Sequence, residues 1–108
     1  MSSSGTRGDV WYVRPDLPSI GSEMQKDRPC LIVQPAEMDV LRTVIVAPLT
    51  SKGFAAPYRV PTTFGAGGFI LLDHIRAVDR SRLRRHAGKI DASELARVLK
   101  TLQAIFSV

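Results

Sequence analysis

Prolines and glycines divide the first part of the chain into short segments. All seven prolines of the 108 residues lie at or before Pro61, and none follows it. Proline lacks a backbone N–H and glycine weakens regular structure, so a long helix cannot run through such a segment. The runs between them hold four or five residues, many of them β-branched or aromatic, which is typical of strands. This part of the chain is therefore predicted to be mainly β.

The predicted strands are short and close together in the sequence. The clearest ones cover residues 10–13, 30–33, 43–47 and 69–72, and a shorter one is expected around 58–60. Several lack strict alternation of apolar and polar residues. This indicates strands that are buried on both faces or that belong to a tightly curled sheet.

The end of the chain changes to a helical period. Apolar residues recur there at helical spacing, at Leu95, Val98, Leu99, Leu102 and Phe106. Asp91-Ala-Ser-Glu94, just before them, resembles a capping box, in which Asp91 accepts from the first turn and Glu94 reaches back. We predict an amphipathic helix of about four turns that packs against a small, partly open β-barrel.

Composition excludes several classes of protein. A single cysteine, Cys30, allows neither an internal disulfide nor a zinc cluster, and its apolar surroundings predict a buried, inert thiol. No apolar run approaches the ~20 residues that cross a bilayer. Residues 1–6 do not resemble a secretory signal and are predicted to be a disordered lead-in to one domain over residues 7–108. These features predict a cytoplasmic protein without membrane contact.

The positive charge is concentrated in one stretch. The formal net charge is +5, from 15 basic and 10 acidic side chains. Residues 76–89 hold six basic side chains against Asp79 alone and so carry the whole surplus. Such a stretch favours a polyanionic partner.

Two polar segments are candidate sites. In the loop over residues 21–29, Arg28 precedes Pro29 and is therefore held extended, so its guanidinium is placed to bind a phosphate. An ordinary solvated loop is the alternative. Thr50-Ser51-Lys52 follows a predicted strand and suits an anion site, although a polar turn has the same composition. Neither histidine forms a metal-ligand pattern with Cys30, so no metal or cofactor is predicted.

Four motifs, taken together and in register, resemble the MazF/PemK toxins, the toxic halves of bacterial type II toxin–antitoxin pairs. The motifs are Arg7-Gly-Asp-Val-Trp11, Gly21-Ser-Glu23 with Arg28-Pro29, Ala47-Pro-Leu-Thr-Ser-Lys52, and Asp73-His-Ile-Arg-Ala-Val-Asp-Arg-Ser-Arg-Leu83. The resemblance covers almost the whole chain from Arg7.

The resemblance implies a fold, a reaction and partners. The fold is a small SH3-like β-barrel that forms a homodimer. The reaction is metal-independent, sequence-specific cleavage of single-stranded mRNA by attack of the RNA's own 2′-hydroxyl, which leaves 2′,3′-cyclic phosphate and 5′-hydroxyl ends. The partner is a cognate antitoxin with an acidic, disordered tail, and the pair is expected to assemble on operator DNA in the bacterial cytoplasm.

The resemblance also implies roles for individual residues. Arg28 is the main catalytic residue and Thr50 its hydrogen-bonding partner at the scissile phosphate. Glu23 is implied to be a general base or to orient Arg28, and a plain ion pair with Lys26 or Arg28 is the alternative. The residues implied to bind RNA are Ser22, Gln25, Lys26, Ser51, Lys52 and Phe54.

Two positions remain open within this resemblance. Phe54 either stacks on a base or belongs to the core. Asp73 matches a position proposed as a base in a PemK-type relative, but the companion arginine of that relative corresponds here to Leu71. A structural acid is therefore the alternative for Asp73, and His74 beside it has no counterpart in the family.

Two functions of other classes share the fold and the charge. One is a gyrase poison similar to CcdB, but such toxins end in a tip containing tryptophan, whereas this chain ends Ala104-Ile-Phe-Ser-Val108. The other is a non-catalytic RNA-binding barrel, which the basic stretch alone would allow.

Overall fold

The structure is a computed structural model that describes residues 5–15 and 26–108. This part of the chain contains seven antiparallel strands and a C-terminal helix. The strands are β1 (Asp9–Val13), β2 (Arg28–Ile32), β3 (Thr43–Thr50), β4 (Arg59–Thr62), β5 (Gly68–Leu71), β6 (Arg76–Asp79) and β7 (Leu83–Lys89), and the helix is α1 (Ala92–Ile105). No helix in these two ranges is long and apolar enough to cross a membrane.

The sheet is curled but not closed. Its strand order is β4-β5-β3-β2-β1-β7, and β6 pairs with β3 as well. Together with the single helix, this confirms the predicted mainly β, partly open barrel. The sequence did not show β6 and β7, because the charged stretch over residues 76–89 has little apolar patterning. Their strand structure comes from pairing with β3 and β1 rather than from intrinsic propensity.

The central strands are buried on both faces, as their missing alternation predicted. Leu31 of β2 packs in one apolar cluster with Val10 and Val98. Its neighbours Cys30 and Ile32 pack in a second cluster on the other face. A strand with apolar contacts on both faces has no polar positions to alternate, which explains the continuous apolar runs.

The helix begins and packs largely as predicted. Asp91 accepts a hydrogen bond from the backbone N–H of Ser93 at 3.1 Å, and Val98 is fully buried. Leu95 and Leu102 pack against the same cluster from the side. Phe106, by contrast, follows the last helical residue and is 69% exposed. The apolar stripe therefore stops one turn before the sequence suggested.

The prediction that Glu94 completes a capping box at the start of its own helix is wrong. Instead of reaching back along its own helix, the Glu94 carboxylate crosses to the turn after β4. There it accepts hydrogen bonds from Thr62 Oγ1 at 2.6 Å, from Thr63 N at 2.9 Å and from Thr63 Oγ1 at 2.8 Å. Two hydroxyls and an amide satisfy a buried carboxylate better than one backbone N–H. Glu94 therefore fastens the helix to the barrel.

These contacts also set the titration of Glu94. Burial by itself would raise the pKa of this carboxyl, but the hydrogen bonds from Thr62 and Thr63 outweigh it and lower the pKa below its ordinary value of 4.5. A carboxyl whose pKa is lowered on folding stabilises the folded state above its unfolded pKa. That contribution disappears as the pH falls through the folded value.

Glu94→Gln should therefore lower the free energy of unfolding by about 1 to 3 kcal/mol at neutral pH, because the charged acceptor is lost. Urea denaturation measures this, with Glu37→Gln as the control, since Glu37 is an exposed glutamate. The difference between wild type and Glu94→Gln should shrink as the pH falls below 4.5. Equal losses in the two variants, or a difference that does not change with pH, would contradict this role.

Candidate active site

The longest strand changes partners along one edge. Residues Thr43 to Val46 of β3 pair with β6, whereas Leu49 and Thr50 pair with β5. The chain between β5 and β6 passes over this opening as a short 3-10 turn, Leu72–His74. A cleft of about 640 Å³ lies at this point, which we call the fork groove.

The fork groove brings together the two residues implied to be catalytic. Cys30 of β2 pairs with Pro48 of β3. The same antiparallel register, carried two residues further, sets Arg28 opposite Thr50. Arg28 is exposed, and both residues line the fork groove. A cation and a hydroxyl thus face one cleft from neighbouring strands.

A second cleft of about 390 Å³ lies on the other side of these two residues. Arg28 and Thr50 line it together with Ser51 and Lys52, and Tyr12 of β1 forms part of its wall. We call it the loop groove. Four of the residues that the sequence singled out are therefore neighbours, and Arg28 and Thr50 stand between the two clefts.

A local hydrogen bond positions the Thr50 hydroxyl. Its Oγ1 accepts from the backbone N–H of Lys52 at 3.2 Å. A hydroxyl that accepts in this way retains its own O–H to donate, for example to a phosphate oxygen. Thr50-Ser51-Lys52 is therefore a polar turn and also suits an anion site.

Close backbone contact holds Thr50 against β5. A Cβ placed on Gly68 would lie 1.9 Å from the Thr50 carbonyl oxygen, and Gly68 has φ of +117°. Only glycine adopts this conformation and this approach without strain. Gly68 therefore sets the position of the strand end that carries Thr50.

The far wall of the fork groove carries Asp73, His74 and Arg76. Asp73 is held by Arg59 of β4, whose Nε and Nη2 donate to its two carboxylate oxygens at 3.3 and 3.1 Å. His74 Nε2 lies 3.4 Å from Asp73 Oδ2. The hydrogen bonds from Arg59 lower the pKa of Asp73, so this carboxyl stays ionised and is a poor proton acceptor near neutral pH.

The same arginine contacts an exposed aromatic ring. The Arg59 guanidinium lies 4.3 Å from the centre of the Phe54 ring, a cation–π distance. Phe54 is 59% exposed and so lies outside the core. The structure thus excludes the core interpretation of Phe54 and leaves much of its ring open to solvent.

The remaining predicted residues fall into two groups. Ser22, Glu23 and Gln25 lie outside the described residues. Lys26 is exposed at the start of the second described range.

Sequence reasoning missed Arg59 and Arg76 as site residues. Arg76 belongs to the basic stretch over residues 76–89, and it also lines the fork groove with Arg28 and Thr50. Pairing of β6 with β3 sets Arg76 opposite Val46 and so brings it to this groove. The one feature of the sequence that could have indicated Arg59 is its position shortly after the aromatic residues Phe54 and Tyr58.

The described residues offer neither a reactive thiol nor a cluster of metal ligands. Burial raises the pKa of the Cys30 thiol to about 11, despite the nearby Arg76 and Arg28, so the thiol is a poor nucleophile. Within residues 5–15 and 26–108, no group of three or more His, Cys, Asp or Glu residues is placed to hold a metal ion.

Comparison with known proteins decides the family. Residues 6–106 match the family model for the PemK-like, MazF-like toxin of type II toxin–antitoxin systems. The chain belongs to this family. It is 33% identical to the endoribonuclease PemK of Escherichia coli over 109 aligned positions, which cover 94% of this chain and 81% of that protein. It is 28% identical to the endoribonuclease MazF9 of Mycobacterium tuberculosis, covering 90% of this chain and 92% of that protein.

Solved structures of the family share the fold. A crystal structure of MazE–MazF from Deinococcus radiodurans matches with a TM-score of 0.80 and 29% identity, covering 96% of each chain. A structure of MazF alone from the same organism matches with a TM-score of 0.76 and 28% identity, covering 96% of this chain and 97% of that one. The PemK/MazF barrel is therefore the architecture of this chain.

Gly68→Ala should destabilise the protein by about 2 to 4 kcal/mol, because the new methyl group meets the Thr50 carbonyl and strains the backbone. Gly65→Ala is the matched control. Gly65 also has positive φ, but a Cβ there meets nothing within 4 Å, so only about 1 kcal/mol of backbone strain is expected. Chemical denaturation compares the two, and equal losses would show that the approach of β5 to Thr50 is not tightly constrained.

Proposed function

We propose that this protein is a metal-independent, sequence-specific endoribonuclease that cleaves single-stranded mRNA. The observation that carries the proposal is the placement of Arg28 and Thr50 in one groove of a PemK/MazF barrel. The relatives PemK and MazF9 are named endoribonucleases. The substrate class is further supported by Arg76 and Lys52, which line the two clefts beside Arg28.

The proposed reaction is transesterification within the RNA. The 2′-hydroxyl attacks the adjacent phosphorus, the bond to the 5′-oxygen breaks, and the products are a 2′,3′-cyclic phosphate and a 5′-hydroxyl end. Negative charge builds up on the phosphoryl oxygens in the transition state. Arg28 stabilises this charge by its permanent positive charge, and Thr50 donates a hydrogen bond to the same group.

The other predicted residues are assigned to the RNA rather than to the reacting bonds. Ser51 and Lys52 contact backbone phosphates from the loop groove, and Phe54 offers its exposed ring to a base. Ser22 is proposed to contact phosphate or ribose, Gln25 and Lys26 to read the RNA sequence, and Glu23 to orient Arg28. Asp73 is assigned a supporting role rather than that of a base, because Arg59 donates a hydrogen bond to each of its oxygens.

The proposed setting is a toxin–antitoxin pair in the bacterial cytoplasm. The solved MazE–MazF complex from Deinococcus radiodurans supports an antitoxin partner for this chain. We propose that residues 7–108 form the toxin domain and homodimerise. An acidic, disordered antitoxin tail binds the basic surface, folding as it binds, and brings the complex to operator DNA.

Incubation of the purified protein with a long RNA in EDTA tests the reaction directly. Discrete cuts with 5′-hydroxyl ends are expected. Arg28→Ala should slow cleavage by about 10²- to 10³-fold, because one transition-state donor is removed. Arg42→Ala is the matched control, since the Arg42 side chain is 84% exposed and lies at the start of β3, away from the groove. Its rate should not change.

Other outcomes separate the alternative functions. RNA binding without cleavage of any RNA would indicate a non-catalytic barrel and would contradict the proposal. Inhibition of gyrase supercoiling without RNA cleavage would indicate a gyrase poison. Cleavage that survives Arg28→Ala at the wild-type rate would remove Arg28 from the mechanism.

Antitoxin binding is expected to depend on the charge of β7. The double substitution Arg84→Glu and Arg85→Glu should weaken neutralisation, because both residues are exposed on this edge strand. The measurement is RNA cleavage with and without the protein encoded by the neighbouring reading frame, each variant being compared with itself. Arg97→Glu on the exposed face of α1 is the control. Full neutralisation of the double variant would contradict the electrostatic picture.

A further inference from the structure

His74 stands in the fork groove with no assigned role. It lines the same cleft as Arg28 and Thr50, and its side chain is 55% exposed. The chain has two histidines, and the other, His86, lies on β7 beside Trp11. Histidine is the side chain that most readily takes up and releases a proton near neutral pH, so its presence beside the catalytic pair calls for an explanation.

We propose that His74 is the general base of the reaction, oriented by Asp73, which Arg59 holds in turn. This assignment rests on the proposed endoribonuclease function and adds the proton acceptor that Arg28 and Thr50 do not supply. An arginine is permanently protonated and a threonine hydroxyl is a weak base, so neither accepts the 2′-hydroxyl proton effectively.

The contact geometry determines which nitrogen is available. His74 Nε2 lies 3.4 Å from Asp73 Oδ2. In the neutral ring the proton therefore belongs on Nε2, facing the carboxylate, and Nδ1 keeps its lone pair. Among residues 5–15 and 26–108, no hydrogen bond reaches Nδ1. The free nitrogen is the one that is able to accept a proton from substrate.

Arg59 makes Asp73 an orienting group rather than a base. Its two hydrogen bonds fix the carboxylate plane and hold the pKa of Asp73 below the ordinary value. A carboxylate that remains charged stabilises the imidazolium that forms when His74 takes up a proton. The arginine that contacts Asp73 in this chain is thus Arg59 of β4, while position 71 holds a leucine.

The charged groups around His74 come from several elements. Asp73 precedes it on the same turn, Arg28 faces the cleft from β2, Arg76 lies at the start of β6, and Arg59 of β4 is paired to Asp73. The arginines of the cleft attract the phosphate, and the carboxylate faces the imidazole. The substrate phosphate is thus attracted into the same cleft that holds the proton acceptor.

The step balances without any further reactant. The 2′-hydroxyl proton moves to Nδ1 of His74, and the 2′-oxygen forms a bond to phosphorus. The P–O5′ bond breaks, and the leaving 5′-oxygen takes a proton from water. The imidazolium then returns its proton to the hydroxide so formed, and the starting phosphodiester and the cyclic product each carry one negative charge.

The test is the pH dependence of single-turnover cleavage in EDTA, with an RNA oligonucleotide that contains a mapped cut site. His74→Gln should slow cleavage by about 10²- to 10⁴-fold and remove the rise in rate with increasing pH, as expected for loss of a general base. His86→Gln is the matched control and should keep both the rate and the profile. Added imidazole should partly restore cleavage by His74→Ala, because a free base enters the vacated space.

Binding measurements separate a base from a binding residue. An oligonucleotide with a 2′-O-methyl group at the cut cannot react, and His74→Gln should bind it as tightly as wild type does. Weaker binding in proportion to the lost rate would overturn the proposal. Cleavage by His74→Gln at the wild-type rate and with the same pH profile would also overturn the role of His74. The proposed endoribonuclease function would still stand in that case, provided that Arg28→Ala is inactive. A wild-type protein that cuts no RNA refutes the proposed function itself.

Discussion

The change of partners along β3 is the constraint on which the rest of the site depends. β2 covers one edge of this strand, while β6 and β5 share the other edge in succession. A continuous partner along that edge would leave no opening at Pro48. Because the partners change there, the turn Leu72–His74 stands across a groove from Arg28 and Thr50. The curled sheet therefore produces both a core buried on two faces and a cleft with polar walls.

The arginines at the cleft have different neighbours. Arg28 and Arg76 face the groove, and these permanent charges suit a phosphodiester. Arg59 is instead committed to Asp73 and to the ring of Phe54. The net charge indicated the class of partner, but the roles of the arginines differ because each meets a different neighbour. Arg76 of the basic stretch lines the same groove as Arg28 and Thr50.

The sequence predicted the strands and the helix that have a clear local pattern of apolar residues. It did not predict the strands that form only because they pair with a neighbouring strand. Runs of apolar residues predicted five of the strands, and the family motifs pointed to Arg28 and Thr50. The strands β6 and β7 have weak apolar patterns and depend on their partners. The contact between Arg59 and Asp73 joins residues from different parts of the sheet. Likewise, Glu94 bonds to Thr62 and Thr63 instead of capping its own helix, because these tertiary hydrogen bonds satisfy the buried carboxylate more fully.

The central claim is that RNA occupies the fork groove and touches both of its walls. The most direct measurement is an NMR titration of the 11.9 kDa chain with a 2′-O-methyl oligonucleotide of the mapped cut site. Shift changes are expected at the amides of Arg28 and Thr50 on one wall, and at the amide and ring protons of His74 on the other. Changes confined to the edge strand β7, with Arg28, Thr50 and His74 unaffected, would contradict it.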